Sequence, residues 1–111
     1  VEIEFEKSKL RDVFNNESSL ISSYGKENGR TIMRRMSVLR AAQNLEQVSY
    51  KKPERRHQLR GKRKGEFAVD LTHPFRLVFR PNHDPVPLKE DGGIDLKHVT
   101  SIIIIRVEDY H

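Results

Sequence analysis

Two stretches of this chain gather residue types that could act on an anionic substrate. The segment KKPERRHQLRGKRKG carries Lys51, Lys52, Arg55, Arg56, Arg60, Lys62, Arg63 and Lys64 against the single acid Glu54, with His57 among them. The last three residues are Asp109, Tyr110 and His111. A cationic run this dense attracts a phosphate backbone by charge and counterion release, although a bare charge run also describes a solvated loop. Histidine, with an ordinary pKa of about 6.5, can take or give a proton near neutral pH. Five histidines occur, at 57, 73, 83, 98 and 111. His73 sits beside Pro74 in a turn, while His83 and His98 flank a long loop, so these three read as surface residues. His57 and His111 differ by their company and are the candidates for chemistry. No pair has the HExxH or His-x3-5-His spacing of a metal site, and the chain has no cysteine, so metal, thiolate and disulfide chemistry are not expected.

Elements must hold these groups in place. VEIEFE alternates, with Val1, Ile3 and Phe5 on one face and three glutamates on the other, the pattern of a half-buried strand. From Ser8, an expected N-cap, Leu10, Val13, Phe14, Leu20, Ile21 and Tyr24 recur at helical steps up to Gly25. After GKENG, read as a loop, Ile32, Met36 and Leu39 predict a second helix ending near Leu45 and antiparallel to the first. Residues 46–65 read as linker and loop. EFAVDL and FRLVFR predict strands joined by a turn at THP, with Phe67, Val69, Leu71, Phe75, Leu77 and Phe79 buried and Arg76 and Arg80 on the open face. Pro81 to Lys97 is expected to be a long mobile loop. TSIIIIRV is apolar on both faces and belongs inside the sheet. The fold class is therefore α+β in the order β-α-α-β-β-β, two antiparallel helices packed on a small, mostly antiparallel sheet. The terminal triplet would hang from the central strand.

The 111 residues make one domain, 1–111, with 21 Lys plus Arg against 16 Asp plus Glu and a formal charge of +5. That balance favours nucleic acid or an acidic protein as partner. No stretch approaches a membrane span and no charged-then-apolar leader precedes the first strand, so a cytoplasmic protein without membrane contact is expected.

HQLRGKRKGEFAVDL, then FRLVF, then the terminal EDYH resembles the HigB-type, or proteic killer, branch of the RelE/ParE toxin superfamily. Members show a His-x-Leu-Lys/Arg-Gly motif, a following strand with an aromatic, an aromatic-Arg pair in the next strand and an Asp-Tyr-His end. This chain departs from them at Lys62, commonly acidic, in Phe67 or Phe75 where a tryptophan is frequent, and in the length of the 81–97 loop. The resemblance implies a toxin that enters the A site of the 70S ribosome and cuts mRNA. It implies a helix-turn-helix, HigA-like antitoxin as partner, with operator DNA contacted only through the antitoxin complex, and no cofactor. His57, Arg76, Asp109, Tyr110 and His111 match the catalytic cluster, and Arg55, Arg56, Arg60, Lys62, Arg63, Lys64 and Arg80 are the candidate RNA contacts.

Metal-independent RNA cleavage uses the ribose 2′-hydroxyl as internal nucleophile and needs a base, an acid and cations to steady the phosphorus-bound charge. His57 and His111 would share the proton transfers. Asp109 would orient an imidazole or hold the terminal loop, and Tyr110 would stack on a base or donate a proton, since a phenol ordinarily titrates near 10. Two other classes compete: a basic RNA- or ribosome-binding module that does not cut, and a ParE-like toxin directed at gyrase, against which the EDYH end argues.

Overall fold

Alternation in the first residues produces a strand, β1 (Glu2–Phe5), whose Ile3 and Phe5 pack on the core together with the preceding Val1. The computed structural model describes residues 1–110. Helices α1 (Ser8–Phe14), α2 (Glu17–Tyr24) and α3 (Lys26–Ala41) follow, then strands β2 (His57–Gln58), β3 (Phe67–Asp70), β4 (Phe75–Pro81) and β5 (Ser101–Asp109). The sheet order is β1-β5-β4-β3-β2, with β1 parallel to β5 and the remaining neighbours antiparallel. This is the expected α+β class, and the isoleucine strand lies inside the sheet. Among the described residues no helix is long and apolar enough to cross a membrane.

Local chemistry explains where the elements depart from expectation. The first helix is two, because Asn16 accepts the Ser19 backbone N–H at 2.8 Å and starts α2 afresh. Ser8 is the first helical residue, and Lys7 at the cap makes no side-chain bond. GKENG is not a loop: Gly25, at φ 87°, turns the chain alone and α3 begins at Lys26. Gly29 then passes so close to α2 that a Cβ there would lie 3.1 Å from the Ile21 nitrogen. The helix ends at Ala41, and Leu45 is buried in a short 3-10 turn, Leu45–Gln47. Residues 46–65 also contain β2, a short edge strand. Within the long connection before β5, Leu88 bridges Ile94, and Ile94 and Leu96 pack on the core.

The core lies between the helices and one sheet face. Ile32, Met36 and Leu39 of α3 meet Phe67, Leu77, Phe79, Ile102 and Ile104, and the Phe67 and Phe79 rings stack with centroids 6.1 Å apart. Antiparallel pairing aligns Phe79 with Ile104 but Val78 with Arg106, so Ile105 is an extra residue in β5. This bulge inverts the strand's alternation. Before it Ile102 and Ile104 face the helices; after it Val107 does, while Arg106 and Glu108 turn to the opposite, open face.

Candidate functional site

Cross-strand partners share a sheet face, so the register maps the open face row by row. One row runs His57, Ala68, Val78, Arg106 across β2 to β5. The next runs Asp70, Arg76, Glu108 across β3 to β5. Its apolar floor is small: Leu59, Ala68 and Val78 are buried, with Ile105 against them. Every other side chain in those two rows is titratable or cationic.

Asp70 organises one end. Its carboxylate takes both arms of Arg55, Nε at 2.7 Å and Nη2 at 2.8 Å, a bidentate pair. Its backbone N–H donates to the Glu54 carbonyl at 2.8 Å, and its backbone carbonyl accepts Arg35 Nε at 2.6 Å. Arg35 comes from α3, is buried, and also donates to the Pro53 carbonyl; burial, partly offset by Glu54 and Asp70, pulls its pKa below the ordinary value. The basic segment is thus tied to β3 by backbone and side chain together. Arg55 holds a left-handed φ of 46°, a conformation uncommon outside glycine. In that position its carbonyl accepts His57 Nδ1 at 2.7 Å while its guanidinium reaches the Tyr110 hydroxyl at 3.3 Å. A carbonyl only accepts, so Nδ1 carries the proton and neutral His57 presents a bare Nε2.

Glu108 organises the other end. Arg76 donates to it through Nε at 2.8 Å and Nη2 at 2.6 Å, Arg106 through Nε at 2.6 Å, and Arg63 reaches the same carboxylate. Burial would raise the Glu108 pKa, but the bonds from Arg106, Arg76 and Arg63 outweigh it and hold the carboxyl at about 2. Arg106 also pairs with Glu66 at 2.7 Å. The Arg76 guanidinium lies 4.7 Å from the centroid of the Tyr110 ring, a cation–π contact, so Tyr110 joins the two ends. Its backbone N–H reaches the Pro74 carbonyl at 3.3 Å.

Of the residues expected from the sequence, His57, Arg55, Arg63, Arg76 and Tyr110 come together on this face. Arg60, Lys62 and Lys64 are exposed on the loop beside it. Arg56 turns away: its Nε donates to the Val48 carbonyl at 2.8 Å, and burial lowers its pKa. Arg80 shares the open face but lies toward β1, 3.7 Å from Glu6. Asp109 pairs with Phe75, which gives it the opposite face to Arg76 and Glu108. His111 lies outside the described residues. Asp70, Glu66, Arg106, Glu108 and Arg35 were missed. Alternation in EFAVDL already sets Glu66 and Asp70 opposite Phe67 and Val69, and Arg35 falls on the helical face of Ile32, Met36 and Leu39. Among the described residues no three His, Asp or Glu side chains group as a metal site. No protein-family model matches the chain, and no curated protein sequence matches it.

Proposed function

We propose that this chain is a HigB-type toxin of a toxin–antitoxin pair, a ribosome-dependent endoribonuclease that cuts mRNA and so stops translation. The observation that carries the reading is Arg55, whose carbonyl orients His57 while its side chain holds Asp70 and Tyr110. One residue therefore couples a base-ready imidazole to the arginine-rich rows. His57 Nε2 takes the proton of the ribose 2′-hydroxyl; the 2′ oxygen attacks phosphorus, the bond to the 5′ oxygen breaks, and an acid protonates that oxygen. The products are a 2′,3′-cyclic phosphate and a 5′-hydroxyl. The resemblance places His111 in the same catalytic cluster, and with Nε2 of His57 taken as the base, His111 is the candidate for that acid. Arg76 and Arg106 steady the charge on the phosphoryl oxygens. Tyr110, with its hydroxyl beside Arg55 and Asp70 and its ring against Arg76, serves as a platform for a base.

The resemblance also supplies a helix-turn-helix antitoxin and operator DNA contacted through the complex alone. A groove of about 390 Å³ where β5 outruns β1 is lined by Leu10, Val13, Tyr24 and Val107 and rimmed by Lys7, Lys9 and Arg106. Its charge and apolar floor suit an acidic antitoxin segment. The test is mRNA cleavage in a bacterial translation extract containing EDTA, comparing wild type with His57→Ala and His111→Ala. Cuts within translated codons, ending in cyclic phosphate and lost in both variants, are expected. RNA binding without cutting by wild type would leave a basic binding module instead.

A further inference from the structure

Arginines from separate segments converge on one carboxylate. Arg63 comes from the loop between β2 and β3, Arg76 from β4 and Arg106 from β5, and all donate to Glu108. Guanidinium groups repel, so a cluster like this forms only around an anion. The three are not equally committed. Arg76 and Arg106 are side chains of the sheet itself, 14% and 33% exposed, and Arg106 has Glu66 as a second partner. Arg63 is 43% exposed and rides on a loop bounded by Gly61 at φ 67° and Gly65 at φ 92°, with open space around both α-carbons. Its ion pair with Glu108 ties that loop, and with it exposed Lys62 and Lys64, to β5.

We propose that the Glu108 carboxylate occupies a phosphate seat, and that one RNA phosphodiester replaces it on Arg63 while Glu108 keeps Arg76 and Arg106 fixed as the seat's walls. The proposal rests on the RNA-directed reading. A phosphodiester carries one negative charge and two non-bridging oxygens, so it meets a guanidinium fork as a carboxylate does. The exchange conserves ion pairs and releases the loop at its glycines to close on the strand.

The experiment measures binding of a short fluorescein-labelled single-stranded RNA across a salt series, together with cleavage in the translation extract. Glu108→Gln is expected to bind about tenfold more tightly at low salt, the scale of one added charge-assisted hydrogen bond, with a salt slope steeper by about one. Its turnover should fall as Arg76 and Arg106 lose their clamp, so KM and kcat drop together, a split that simple loss of stability does not produce. Arg63→Gln, an exposed change that leaves the fold intact, should lower the salt slope by about one. In the double variant the gain from Glu108→Gln should shrink to less than about twofold, because the two residues act as a coupled pair. Equal or weaker binding by Glu108→Gln, a gain that persists without Arg63, or no RNA binding by either protein overturns the seat. If wild type cuts no RNA yet the Arg63-dependent gain appears, the nuclease reading fails and the seat stands; if wild type cuts and the gain is absent, only the seat fails.

Discussion

The two faces of the one sheet are built on opposite principles. Toward the helices, Phe67, Leu77, Phe79, Ile102 and Ile104 are at most 1% exposed and form one apolar core with Ile32, Met36 and Leu39 of α3. On the other face the same strands present Asp70, Arg76, Arg106 and Glu108: Glu108 pairs with Arg76 and Arg106 at 2.6 Å, Arg106 with Glu66 at 2.7 Å and Asp70 with Arg55 at 2.7 Å. Burial is non-directional, so the first face tolerates exchange of one apolar shape for another. Ion pairs are directional and lose their worth when one partner is removed, so the second face fixes positions rather than supplying most of the stability. A sheet of this kind can devote one side to folding and leave the other for chemistry.

Breaking the first face should have the largest effect. Phe79→Ala removes a fully buried ring stacked on Phe67 and is expected to cost about 3–5 kcal/mol in urea unfolding, with activity lost alongside stability. His57→Ala should do the reverse. Cleavage is expected to fall roughly 100-fold or more, while the unfolding midpoint stays near wild type because the half-buried ring has one bond to the Arg55 carbonyl.

The ionic face also has a pH signature. Glu108 is held at about 2 against an ordinary 4.5, so its folded pKa is depressed. Its contribution is complete above about pH 4.5 and is lost as pH falls through about 2, an effect on the order of 3 kcal/mol for a carboxylate that is 12% exposed. Unfolding followed from pH 6 down to 2, roughly the span over which such a group titrates, should show this loss in wild type and a flatter curve in Glu108→Gln. The smallest effect belongs to Arg80, whose contact with Glu6 is 3.7 Å long with both side chains some 40% exposed. Arg80→Gln should change stability by less than about 0.5 kcal/mol, measured by the same unfolding.

Strand alternation made much of this comparison readable in advance. VEIEFE, EFAVDL and FRLVFR each declare a buried and an open side, and the basic segment around His57 declares where anions would gather. Helix boundaries were less readable, because Asn15 and Asn16 break a continuous apolar spacing and Gly25 needs no loop around it. The partners of the candidate residues were not readable at all. Arg55 and Asp70 are fifteen positions apart and Arg76 and Glu108 thirty-two, and no local pattern links residues at such separations.

What the sequence determined by itself, then, is which residues of β1, β3 and β4 share a side, since side-chain period follows from backbone geometry within a single unbulged segment. It also determined the chain's positive charge. Tertiary structure decided the rest. Four consecutive isoleucines carry no phase of their own, and only the pairing of β5 with β4 makes Ile105 the extra residue that turns Arg106 and Glu108 to the open face. A bulge is a property of two strands in register, not of either strand alone. For that reason the arginine cluster exists only once the sheet has formed.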